Sequence, residues 1–152
     1  MSMMIRPSDV KIREGATPGT PYAAFTVGQK LKPVRFMITP DIVDEYARAV
    51  EADLGLYRLD GRPIAPPNVL FVYMTGVVYR TYPPIQGIVM IEADFRWHHP
   101  IYADESTEII ASGEIAEKFE KRGRRYIRWR GDFHRADGVL LSSLINTFHV
   151  PE

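Results

Sequence analysis

The segment that most constrains this chain runs from Pro66 to Tyr82, PPNVLFVYMTGVVYRTY. Two prolines suit a first helical turn, where no N–H is needed, and Pro83-Pro84 ends the run. Between them Val69, Leu70, Phe71, Val72, Tyr73, Met74, Val77, Val78 and Tyr79 leave no polar face. A helix of that kind is buried on all sides, so the remaining residues have to build a wall around it. Gly76, in its middle, costs helix stability and reads as a place where another backbone approaches closely.

The wall is legible downstream. Gly87–Trp97, Thr107–Phe119, Arg124–Arg135 and Val139–Val150 are long runs of strand type. Lys121-Arg122-Gly123 and Ala136-Asp137-Gly138 are hairpin turns, so the last three strands form an antiparallel meander. Upstream, Thr39-Pro40-Asp41 opens a short amphipathic helix to about Ala52, with Ile42, Tyr46, Ala49 and Val50 at helical spacing. A strand from Phe25 to Ile38 precedes it, and Asp60-Gly61 marks a tight turn in the loop that follows it. Residues 1–24 read as an irregular arm and 25–152 as one domain. The expected class is α+β: a curved antiparallel sheet wrapped around a long buried helix, the architecture called the hotdog fold.

Composition narrows the chemistry. Nineteen basic residues balance nineteen acidic ones in 152, which removes any bulk attraction to nucleic acid or an anionic membrane. With no cysteine, disulfides, Cys-ligated zinc and thiol nucleophiles are excluded. No apolar run approaches the roughly 18 residues of a membrane span, and the first residues lack a signal-peptide pattern. A cytoplasmic protein is expected. Glycine-rich phosphate loops, a Gly-x-Ser-x-Gly elbow and His-Glu-x-x-His are all missing.

Among single residues, His98 and His99 are adjacent, and in a strand adjacent side chains point to opposite faces. They do not share one ion, and no metal site is expected; one of them can face a substrate. From Lys118 to Arg130 basic residues interleave with aromatics, but Tyr126, Arg128 and Arg130 fall on one strand face and Ile127 and Trp129 on the other. That is a sheet with one wet face. Glu92, Asp94 and Arg96 alternate with Ile91, Ala93, Phe95 and Trp97 in the same way, giving a polar face for solvent or for a dimer seam.

YARAVEADLGLY, RPIAPPNVLFVYMTG and ADFRWHHPIYADEST together resemble the MaoC-like hotdog dehydratases, a family of (R)-specific enoyl-CoA hydratases and related dehydratase domains. Ile-Ala-Pro-Pro is similar to the N-terminal-type half of that family. The resemblance implies an acyl-CoA or acyl-carrier-protein thioester as ligand and hydration of a 2-enoyl group, or its reverse, as reaction. It also implies no diffusible cofactor, and a homodimer or a heteromer with another hotdog subunit. Asp53 matches the Asp of the family's Asp/His acid/base pair, but the place of the His is taken by Tyr57 or Arg58. A phenol is a far weaker base at neutral pH than an imidazole. Catalytic candidates are therefore Asp53, Tyr57, His98 and His99. Pro66 and Pro67 stand where active relatives carry His-Gly and offer no N–H, so the first donors for a thioester oxygen are at Asn68 and Val69. Arg125 is the candidate for a coenzyme A phosphate. Two further readings stay open: a non-catalytic thioester-binding partner of a catalytic subunit, and a hotdog thioesterase.

Overall fold

The computed structural model describes residues 3–151. In chain order the elements are α1 (Pro7–Val10), β1 (Val34–Ile38), α2 (Pro40–Ala49), β2 (Arg58–Leu59), β3 (Arg62–Pro63), α3 (Phe71–Tyr79), β4 (Val89–Trp97), β5 (Thr107–Lys121), β6 (Arg124–Arg135) and β7 (Leu140–Val150). Five strands make one antiparallel sheet in the order β1-β5-β6-β7-β4. The expected meander is its centre: β5, β6 and β7 are neighbours, with Arg122 and Gly123 both at positive φ (51° and 74°) closing the first hairpin. β4 lies along the outer side of β7, leaving an open edge.

The helix at the centre is shorter than its sequence suggests. Pro67–Leu70 form a 3₁₀ turn, in which the Val69 N–H donates to the Pro66 carbonyl, and only the nine residues of α3 are α-helical. Consecutive prolines explain the lead-in, because the residue before a proline is turned away from the α region. Tyr73, Met74, Gly76, Val77 and Val78 are buried as expected, whereas Phe71 and Val72, at 38% and 37% exposure, are not. Both lie at the head of the helix, and Phe71 reaches the open edge strand, its ring 5.9 Å from that of Phe95.

Gly76 is a point of close approach. A Cβ built there would stand 2.5 Å from Val10 Cγ1 and 3.1 Å from the Val10 carbonyl carbon, so α1 lies directly on the helix. Arg80 holds the contact from above by donating to the Val10 and Asp9 carbonyls, and the Tyr73 hydroxyl donates to the Ile5 carbonyl at 2.7 Å. Burial pushes the Tyr73 phenol well above the usual range, so it stays protonated as the donor to Ile5, and pushes the Tyr79 phenol to about 12. The N-terminal arm is thus packed into the core, with Val10 fully buried. The strand expected from Phe25 is limited to Val34–Ile38. Before it, Phe25 and Leu31 are buried individually and Gly28 takes positive φ.

On the helix side of the sheet, Ile127, Trp129 and Phe133 are fully buried, while Arg130 is exposed on the other side, the alternation read from the sequence. Trp129 donates Nε1–H to Asn146 Oδ1 at 2.8 Å, and Asn146 donates Nδ2–H to the Glu92 carbonyl. That chain satisfies two buried polar groups within the core.

Candidate functional site

The segment before the prolines is tied to the segment after β4. Ala65 N–H donates to the Ile101 carbonyl, Ala103 N–H to the Pro63 carbonyl, and Ile64 bridges Tyr102. Arg62 locks the pair from outside. Its guanidinium lies 3.6 Å over the Tyr102 ring and bonds both oxygens of Asp104, with Glu105 at 3.1 Å. The Arg62 guanidinium holds the Asp104 carboxyl below its ordinary value.

This strapping brings four of the sequence candidates together. Pro66, Pro67 and Leu70 form one side of an apolar cavity of about 220 Å³, and Trp97, His98 and His99 form the other. His98 and His99 follow the last residue of β4, and both backbone N–H groups donate to the Leu141 carbonyl. Their side chains diverge, as alternation predicts: His98 Nε2 meets Ser143 Oγ at 2.6 Å, while His99 Nδ1 lies 3.2 Å from the Leu140 carbonyl. A carbonyl only accepts, so Nδ1 of His99 carries a proton and Nε2 is the basic nitrogen of the neutral ring.

The other candidates lie elsewhere. Asp53 is exposed and caps the 3₁₀ turn Leu54–Leu56, accepting from the Gly55 N–H at 2.9 Å. It faces a shallow groove with Asp44, Arg48 and Glu51, apart from the cavity at Pro66. Tyr57 ends that turn half-buried, close enough to Tyr46 to add to the rise that burial gives the Tyr46 phenol. Asn68 is exposed and Val69 fully buried; neither lines the cavity. Arg125 pairs in register with Val150, at the end of β7 opposite to His98 and His99. Ten residues of strand, about 33 Å, separate the two ends. There Arg125 meets Glu120 at 3.5 Å and Tyr22, its guanidinium 5.6 Å from the ring centroid. Within one chain the basic hairpin and the cavity therefore do not meet.

Sequence reasoning missed Trp97 as a cavity residue and Arg62 as its clamp. Trp97 was within reach, since alternation puts it on the helix side with Ala93 and Phe95. The Arg62 clamp had no local signal, because it closes on an aspartate 42 positions away.

No family model and no curated protein matches this chain. Solved structures do. A monoamine oxidase regulatory protein from Archaeoglobus superposes with a TM-score of 0.71 at 15% identity, covering 87% of this chain and 94% of that one. The (R)-hydratase PhaJ1 of Pseudomonas aeruginosa gives 0.68 at 18%, covering 88% and 87%. The HadBC (3R)-hydroxyacyl-ACP dehydratase complex of Mycobacterium tuberculosis gives 0.67 at 21%, covering 81% and 96%. The chain has the hotdog fold of the MaoC-like dehydratases. At these identities the likeness is one of fold. No helix among the described residues is long and apolar enough to cross a membrane.

Proposed function

We propose that this chain binds a 2-enoyl or 3-hydroxyacyl thioester, of coenzyme A or of a carrier protein's phosphopantetheine, and takes part in its hydration or the reverse dehydration. The observation that carries the reading is the apolar cavity at the head of α3 with His99 on its rim. The acyl end enters between Leu70 and Trp97. His99 Nε2 takes a proton from water as its oxygen bonds the β-carbon, and the resulting imidazolium returns that proton to the α-carbon, so that the elements of one water are added and the neutral ring is restored. Asn68, the first residue after the two prolines with an N–H, is exposed beside Pro67 and outside the cavity lining, so it is the donor for a thioester oxygen that stays outside the cavity while the acyl end is inside. Only the elements of water move, so no diffusible cofactor is needed.

The test is loss of enoyl absorbance from crotonyl-CoA and a longer enoyl-CoA with the purified protein. His99→Gln is expected to lower turnover by about 10²–10⁴-fold, and Asp53→Asn to leave it unchanged. The opposite pattern would return the acid/base role to the Asp53 loop.

One observation favours a second reading, in which the chain binds thioester without turning it over and completes a heteromer with a catalytic hotdog subunit. The Asp53 carboxylate is already engaged as a cap, and no histidine follows it in that loop. HadBC and ChsH1-ChsH2 are two-component complexes of this fold. Binding without turnover, with activity appearing only when such a subunit is added, would select it. Release of free thiol would point to a thioesterase instead.

A further inference from the structure

The sequence holds two Asp-Gly steps, Asp60-Gly61 and Asp137-Gly138, each in an exposed turn. Such a step is open to a reaction of its own, because glycine has no side chain to crowd its nitrogen as it approaches the aspartate carboxyl. The fold treats the two steps in opposite ways. At Asp137 the Arg135 guanidinium grips both carboxylate oxygens, at 2.8 and 2.7 Å, and the Val139 N–H donates to the same group. The Gly138 nitrogen is engaged as well, donating to the Arg135 carbonyl at 2.8 Å. Arg135 also holds this carboxyl below its ordinary value, in the ionised form that is the poorer electrophile.

Asp60-Gly61 has none of these restraints. Among the described residues the Asp60 carboxyl meets no hydrogen-bond or ion-pair partner, and the Gly61 N–H donates to no group. The Arg58 guanidinium takes the Gly61 carbonyl, at 3.0 Å, and leaves the nitrogen free. Both turn residues have positive φ (51° and 77°), and a Cβ built at Gly61 would meet nothing within 4 Å. The strands joined by this turn are only two residues each, Arg58–Leu59 and Arg62–Pro63, and a hairpin that short opens readily. The Asp137 turn instead joins strands of 12 and 11 residues.

We infer that Asp60 is a site of spontaneous backbone isomerisation and that Asp137, in the same dipeptide, is protected from it. The Gly61 nitrogen bonds the Asp60 Cγ and gives up its proton as the Cγ hydroxyl leaves as water, closing a five-membered imide. Water then reopens the ring. Addition at Cγ restores aspartate, whereas addition at the main-chain carbonyl leaves the chain running through the side chain, an isoaspartyl link of unchanged mass. No oxidant, cofactor or enzyme is required. The new link lengthens the turn by one methylene beside Arg62, whose guanidinium bonds Asp104 and lies over the Tyr102 ring. The isomerised chain therefore carries a loosened strap. The inference does not depend on the thioester reading.

Ageing the purified protein at neutral pH and physiological temperature tests it. Isoaspartyl carboxyls are tagged by an isoaspartyl methyltransferase with a labelled methyl donor and placed by peptide mapping. Asp60 is expected to accumulate isoaspartate at least about tenfold faster than Asp137, the margin that charge-assisted hydrogen bonds give Asp137. Arg135→Ala should bring Asp137 to within a few-fold of Asp60. Asp60→Glu, which closes no five-membered ring, should remove the signal at the turn. In denaturant the two steps of the wild type should react alike. Trypsin should cut the aged chain after Arg58 several-fold faster than the fresh chain, a difference that Asp60→Glu should lose. No isoaspartate at Asp60, equal rates at the two steps in the folded chain, a contrast that persists in denaturant, or Arg135→Ala without effect would overturn the inference. Isoaspartate at Asp60 with unchanged cleavage after Arg58 would overturn its effect on the strap.

Discussion

Gly76 and Trp129 show how much hangs on single positions in this core. At Gly76 the obstacle to a methyl group includes the backbone of Val10 as well as its side chain, so the neighbour cannot simply rotate away. Gly76→Ala trades better helix propensity against this overlap. Overlap wins: a net loss of about 1–3 kcal/mol is expected in denaturant unfolding. Trp129 fills the space above Gly131, where a Cβ would stand 2.5 Å from its ring. Trp129→Phe keeps much of the volume but leaves the buried Asn146 oxygen without its donor. Its cost is expected at about 1–3 kcal/mol, read from the same unfolding curves. Gly76 was legible as a close approach from its place in an apolar helix. Its partner was not, because Val10 lies in an arm without periodicity and reaches the helix only through folding.

At the scale of elements, the strap from β3 to the residues after β4 decides the cavity. It combines backbone hydrogen bonds through buried Ala65 and Ile101 with exposed ions, Arg62 with Asp104 and Glu105. Asp104 titrates below its ordinary value in the folded chain because of Arg62. A depressed carboxyl adds stability above its unfolded pKa, and that stability is lost as pH falls through the folded value. Protein with Arg62→Ala should therefore lose less stability than wild type between pH 5 and pH 3, a difference that thermal melts across that range would show. The last four strands of the sheet were read with errors of a residue or two, since alternation is local, whereas the first was begun nine residues too early, at Phe25 instead of Val34. The central helix was read too long, because apolar content marks burial but does not say where 3₁₀ geometry gives way to α.

For the molecule as a whole, the arm and the open edge carry the consequences. A chain beginning at Phe25 would lose Val10 from the core and the Tyr73–Ile5 hydrogen bond. A loss of about 2–4 kcal/mol is expected from these together, measurable by calorimetry against the full chain. If the loss is negligible, the arm is an accessory to the domain and not part of its core. The open edge of β4, with Phe71 and Val72 beside it, is the counterpart: apolar surface that one chain leaves uncovered.

The sequence by itself determined the apolar helix, the strand alternation, the hairpin turns and hence the fold, because each rests on periodicity between near neighbours. It also offered Pro66, Pro67, His98 and His99 as candidates, and these line one cavity. Only the tertiary structure decided that these four meet while Asp53 and Arg125 lie apart from them. Proximity between segments thirty positions apart depends on strand order and on the Arg62 strap, and no local pattern encodes either.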